Sequence, residues 1–241
     1  MTIIPEIKVV RDLPDLAREA ADRIVEQSAA MIRLQGKFSL ALSGGSTPKA
    51  LYSLLSGDAY RDKIDWTNVH LYFGDERCVP PDSADSNYRM AKETLLDRAP
   101  IPPANVHRIR GEIDPQAAAR EYGELLEQDF GDGGLDLTLL GMGDDGHTAS
   151  LFPHSEALQE AKHRCVANWV EKFKAWRVTM TFPFLNRSAA VMILVAGASK
   201  AARVHEILEG PREPDCLPIQ RIAPESGKLT WILDAGAAEM A

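Results

Sequence analysis

LLGMGDDGHTASLFP, residues 139–153, decides how this chain is read. An apolar run, LDLTLL, leads into it, and Gly141, Gly143 and Gly146 match the G-x-G-x-x-G pattern of a dinucleotide-binding loop. Such a loop turns its N–H groups toward a pyrophosphate and opens a long helix. Here Asp144 and Asp145 lie inside the would-be cradle, where their charges oppose a diphosphate. Pro153 follows Gly146 by only seven residues, too soon for that helix. No strand-end acid stands about 20 residues on to hold a ribose. The context of the glycine motif therefore fails.

What remains is Asp145-Gly146-His147. Histidine titrates near neutrality and is a natural general base. An aspartate two residues earlier, with a glycine between, is placed to orient the imidazole or fix its tautomer. The plainer alternative is a structural histidine in a turn. No H-x-x-x-H or H-E-x-x-H spacing occurs, so no metal site is expected, and no cofactor.

Outward from this stretch, β-rich runs alternate with helical patterns. Asp15 to Arg33 reads as an amphipathic helix, Phe38 to Ser43 as a buried strand, and Pro48 onward as a helix with proline in its first turn. Asn68 to Phe73 reads as a strand, Ser86 to Leu96 as a helix, and DPQAAAREYGELLEQDF as a helix capped by its aspartate. LDLTLL, RVTMTF, AVMILVA and LTWILD read as strands, with a helix over SKAARVHEIL and a surface loop from Gly210 to Pro224. The alternation predicts an α/β fold, a mainly parallel sheet with helices on both faces, and residues 1–241 are taken as one domain.

Ligands of such folds collect at the carboxyl ends of the strands. Ser43-Gly44-Gly45-Ser46-Thr47-Pro48 follows the second strand. Its glycines let the backbone approach a ligand, and Thr47 is expected to cap the helix beside free first-turn N–H groups, which makes a phosphate cradle. The G-K-[ST] ending of a P-loop is absent, which argues against nucleoside triphosphate hydrolysis. After AVMILVA, Gly197-Ala198-Ser199-Lys200 repeats the logic, with Ser199 as cap and Lys200 as a cation that a phosphate would neutralise. Arg177, opening RVTMTF, is a weaker candidate for the same anion, and Arg221 stays open. Gly74-Asp75-Glu76-Arg77 ends another strand, where Arg77 can hold a carboxylate, a phosphate or a developing oxyanion. Cys78 reads as a small packing residue, not a nucleophile.

The bulk numbers agree with an enzyme of small anionic molecules. With 241 residues, 45% of them hydrophobic, the chain can bury a full core. A formal net charge of −8 without a long basic run argues against nucleic acid as partner. No apolar stretch is long enough to span a bilayer, and MTIIPEIKVV lacks the plan of a signal peptide. Three scattered cysteines, Cys78, Cys165 and Cys216, fit reduced thiols in a cytoplasmic protein.

Four ordered segments, FSLALSGGSTPKALY, VHLYFGDERCVPPDSADSNYRMAKETLL, DLTLLGMGDDGHTASLFPHS and RVTMTFPFLNRSAAVMILVAGASKA, resemble the glucosamine-6-phosphate isomerase/6-phosphogluconolactonase family. The resemblance runs from about Phe38 to Lys200, with a compatible tail. It implies a modified Rossmann-like α/β fold with a smaller lobe, shared with the deaminases of the family. It also implies hydrolysis of 6-phospho-D-glucono-1,5-lactone to 6-phosphogluconate, the second step of the oxidative pentose phosphate pathway. The partner implied is thus a phosphosugar lactone, with the chain a monomer or weak dimer. Deaminases continue DGH as I-A-F-N-E-P, where this chain has Phe152 in place of the Glu. They also carry D-E-Y where this chain has Asp75-Glu76-Arg77. Both departures point to the lactonase branch. On that reading Ser43 to Thr47, Lys200 and Arg177 take the 6-phosphate, and His147 activates water with Asp145 orienting it. Arg77 serves the oxyanion or positions the lactone, and Asp75 holds Arg77 or a sugar hydroxyl.

Overall fold

The structure is a computed structural model and describes residues 4–240. Residues 1–3, the start of the stretch read for a leader, and residue 241 lie outside the described residues. The first strand, β1 (Glu6–Val10), runs into α1 (Leu13–Gln35). Asp12 starts this helix by accepting a hydrogen bond from Asp15 N at 2.9 Å, and Gly36 ends it in the left-handed region at φ 80°. Its buried stripe, Leu16, Ala17, Ala20, Ala21 and Ile24, keeps the helical period. The chain continues as β2 (Phe38–Leu42), α2 (Ser46–Leu55), β3 (Val69–Phe73), β4 (Asp75–Arg77) and α3 (Asn87–Ala91), the last widening into a π-type turn over Lys92–Leu96. Then come α4 (Pro115–Phe130), β5 (Leu137–Gly141), β6 (Cys165–Val170) and β7 (Ala175–Met180). The chain closes with α5 (Phe182–Leu185), β8 (Ala190–Val195), α6 (Ala201–Glu209) and β9 (Lys228–Asp234).

Six strands form a wholly parallel sheet in the order β1-β9-β8-β5-β2-β3. Every residue of β2 is buried, as are all but one of β8 and β9, so these strands read as continuous apolar runs. From β2 the chain steps to β3 on one side, and it later returns at β5 on the other. The order therefore reverses between β2 and β5, and a crevice opens there at the carboxyl ends.

The smaller lobe is an antiparallel sheet, β4-β7-β6, with α4 packed on β6 and β7. Leaving β3, the chain crosses directly into it, with Arg77 opposite Arg177 in register. β1, β4 and β6 were not expected from the sequence pattern. The supposed loop after Gly210 is only partly a surface feature. Leu217, Pro218, Ile219 and Ile222 are buried, and Ile219 N donates to Gly146 O at 3.0 Å.

Candidate active site

Strands β8, β5, β2 and β3 are consecutive neighbours, so four turns far apart in sequence meet at one sheet edge. Together they wall a cavity of about 250 Å³. Residues 43–48 supply one side, Asp75 and Arg77 another, His147 a third and Lys200 a fourth.

The β2–α2 turn is pinned from below. The Tyr52 hydroxyl accepts from Ser43 N at 2.8 Å and donates to Ser43 O at 2.9 Å, and burial pushes this phenol far above its ordinary value. Thr47 does not cap the helix. α2 starts two residues early, with Gly45 as its N-cap and no side-chain capping bond. Ser46 and Thr47 thus sit in the first turn, where their N–H groups have no intrahelical acceptor, and the turn faces the cavity. Ser199 is likewise no cap. A short 3₁₀ turn, Ala198–Lys200, precedes α6, and Gly197 N is held instead by the carboxylate of Asp234 at 2.9 Å. Lys200 reaches back across the cavity mouth to the Asp144 carboxylate.

The turn after β5 is built around its histidine. His147 Nδ1 lies 2.5 Å from Asp145 Oδ1. Burial raises the Asp145 carboxyl, but hydrogen bonds from His147 and from Lys172 Nζ, the latter at 2.9 Å, outweigh it and hold the group well below the carboxylate range. Phe152 stacks on the imidazole, with ring centroids 3.9 Å apart and planes inclined at 25°. The glycines of the motif serve this arrangement. A Cβ on Gly143 would stand 2.0 Å from His147 Nδ1, and Gly146 takes φ 76° with Leu217 close against it.

Asp75 is buried but does not hold Arg77. Its Oδ2 accepts from Ser150 Oγ at 2.6 Å and its Oδ1 from Asn87 Nδ2 at 3.2 Å, because its side chain turns inward from β4. Arg77 instead donates Nη1 to the Asp85 carbonyl, while its Nε is buried without a partner among the described residues. Glu76, unassigned from sequence, anchors the loop that follows. It accepts from the backbone N–H groups of Arg77, Asn87 and Tyr88 and from Ser86 Oγ, at 2.7–2.9 Å. Burial still pushes its carboxyl above the ordinary value. Burial also lifts the Cys78 thiol to about 11, so it stays protonated near neutrality.

Arg177 does not line the cavity. It stacks over Phe173, 5.3 Å from the ring centroid, and burial together with Arg77 lowers it from its ordinary value. Arg221 is remote too, donating to the Leu158 carbonyl and the Asp215 carboxylate. Asn87, Phe152 and Lys172 complete the surroundings. Asn87 and Lys172 carried no signal in their sequence context, since each acts through a contact with another segment, whereas Phe152, already singled out in the sequence, stacks on His147 from the same turn.

Among known proteins, a model of the family described as glucosamine-6-phosphate isomerases/6-phosphogluconolactonase matches residues 11–231. The chain belongs to that family. A family relative from Nostoc sp., named 6-phosphogluconolactonase, is 39% identical over 239 residues, 95% of this chain and 97% of its own. The solved structure of a 6-phosphogluconolactonase from Trypanosoma cruzi superposes with TM-score 0.86 at 32% identity, covering 99% of this chain and 97% of that one. A monomeric glucosamine-6-phosphate deaminase superposes with TM-score 0.83 at 21% identity, covering 98% of this chain and 100% of the other, and speaks for the fold alone. The modified Rossmann-like sheet with a small antiparallel lobe is thus the fold of this family.

Proposed function

We propose that this chain hydrolyses 6-phospho-D-glucono-1,5-lactone to 6-phospho-D-gluconate, the second step of the oxidative pentose phosphate pathway, with His147 as general base and no metal. The observation that carries the reading is His147, held by Asp145 at 2.5 Å behind it, on the wall of the cavity that also holds the open start of α2 and Lys200. The names of the relatives agree with it.

The phosphate binds the N–H groups of the first turn of α2 and the Ser43, Ser46 and Thr47 hydroxyls, with the glycines Gly44 and Gly45 giving close approach. It also takes Lys200 from Asp144. Because Asp145 occupies Nδ1, the imidazole carries its proton there and presents an unprotonated Nε2. Nε2 removes a proton from water as the water oxygen bonds to lactone C1. The carbonyl π pair moves onto oxygen, where Arg77 meets the developing charge. When the tetrahedral intermediate collapses, the bond from C1 to the ring oxygen breaks and Nε2–H returns the proton to that oxygen. The carboxylic acid so formed ionises at neutral pH.

A positioned base contributes about 10²–10⁴-fold, and one oxyanion donor roughly 10²–10³-fold. Since lactones hydrolyse spontaneously, these two terms suffice without a covalent intermediate. Fresh 6-phosphogluconolactone and glucosamine 6-phosphate, offered separately, test the reading. Acid release above the spontaneous background from the first, and no ammonia from the second, is expected. Ammonia release, or no acid above background, overturns it.

A further inference from the structure

The hairpin joining β6 to β7 reaches the catalytic turn with two consecutive side chains. Lys172 Nζ donates to Asp145 Oδ2 at 2.9 Å, on the carboxylate oxygen that His147 leaves free. Phe173 meets Phe152 edge-on, at 5.8 Å and 77°, and Phe152 is the ring stacked on His147. Neighbouring residues in an extended strand point to opposite faces and could not both make these contacts. The four-residue loop Glu171–Lys174 allows it. Phe173 N and Lys174 N donate to Val170 O and Glu171 O at 3.1 and 3.2 Å, and Lys174 closes the turn at φ 47°. Lysine rarely adopts that left-handed backbone, so the tip is held in a form its sequence does not favour.

We infer that Lys172 is a positioning residue for the hydrolysis, fixing the Asp145 carboxylate against His147 and sharing its charge with the imidazole. The assignment rests on the reading of His147 as general base. Lys172 is not among the residues that line the cavity, so it acts through Asp145 and not on substrate. With Lys172 in place, the carboxylate divides its charge between an ammonium and the ring. Without it, the whole charge faces the imidazole and stabilises the protonated ring, which is inactive as a base, while the carboxylate loses one of its two anchors. The other charged groups around the dyad are Asp144, which is tied to Lys200, Arg203, whose Nε donates to the Asp144 carbonyl at 2.8 Å, and, across the cavity, Arg77 and Asp75, the latter held by Ser150 and Asn87. None of them touches the Asp145 carboxylate among the described residues.

The test compares wild type, K172M and K172R in lactone hydrolysis from pH 5.5 to 8.5, with spontaneous hydrolysis subtracted. In K172M the acid limb of kcat/KM is expected to move up by roughly 0.5–1 pH, the size of effect one neighbouring charge exerts. The plateau kcat should fall by about threefold or more with KM unchanged, and K172R should restore both. A K172M profile that superposes on wild type overturns the assignment, as does a raised KM with unchanged kcat, which would mark Lys172 as a substrate contact. Imidazole NMR of His147 separates this from the reading beneath it. Ring resonances that titrate identically in wild type and K172M overturn the Lys172 assignment even if His147 is the base. Full activity in H147A overturns the base assignment whatever K172M does.

Discussion

Asp145 and His147 face one another across Gly146, with 2.5 Å between Oδ1 and Nδ1, and Gly143 leaves the space the ring occupies. This contact occupies Nδ1 and leaves Nε2 for the proposed proton transfer. D145N keeps the shape but replaces the charged acceptor with an amide that can present its NH₂ to Nδ1. Lactone turnover in D145N should fall by about 10²-fold or more in kcat with KM little changed. A raised KM with kcat unchanged would place Asp145 in binding instead.

G143A probes the same contact from the backbone. Its methyl would stand 2.0 Å from His147 Nδ1, so the ring must leave its place. Overpacking of this kind costs about 1–3 kcal/mol. Thermal unfolding should show a lower Tm, and steady-state kinetics a larger fall in kcat than rise in KM. Wild-type activity in G143A would mean that the ring position is not critical.

Asp144 and Lys200 form a contact that, in the proposed binding mode, the substrate phosphate has to displace. The Asp144 side chain is 78% exposed, so the pair is a weak competitor. Removing Lys200 with K200A should raise KM about tenfold or more. Removing the competitor with D144N should lower KM, by about two- to fivefold. KM rising in D144N would show that Asp144 contributes to binding.

His70 and His107 are stacked, with Nδ1 and Nε2 3.2 Å apart and Tyr72 against the second ring. Burial lowers both below the ordinary histidine value. The folded state therefore favours the neutral rings. Their contribution is fully present above the unfolded value, about 6.5, and is lost as pH falls through the lower folded values. Tm should drop between pH 7 and pH 5, before the carboxylates titrate, and H70Q should flatten part of that slope. An unchanged slope in H70Q would assign the loss to other groups.

Much of this site was legible because its groups sit beside glycines at strand ends. The segments Ser43–Thr47, Asp75–Arg77, Asp145–His147 and Gly197–Lys200 declared themselves locally, and a parallel sheet brings strand ends together by construction. Contacts between segments were not legible. Thr47 and Ser199 looked like caps by spacing, but each helix took its start from the backbone of the preceding turn. Asp75 and Arg77 are two apart on β4, so they point the same way, yet Asp75 is claimed by Ser150 and Asn87. Arg177 faces Arg77 only because β4 pairs with β7, a strand a hundred residues later. β6 was missed for a similar reason. Its burial alternates irregularly, since α4 covers it and β7 pairs with it along one edge.

Replacement of His147, the proposed base, is the most direct test. Fresh 6-phosphogluconolactone is added at pH 7 to wild type and to H147A, with spontaneous hydrolysis subtracted and folding checked by Tm. A folded H147A whose kcat is lower by about 10²-fold or more is expected. A folded H147A that retains near-full lactonase activity would contradict the base assignment.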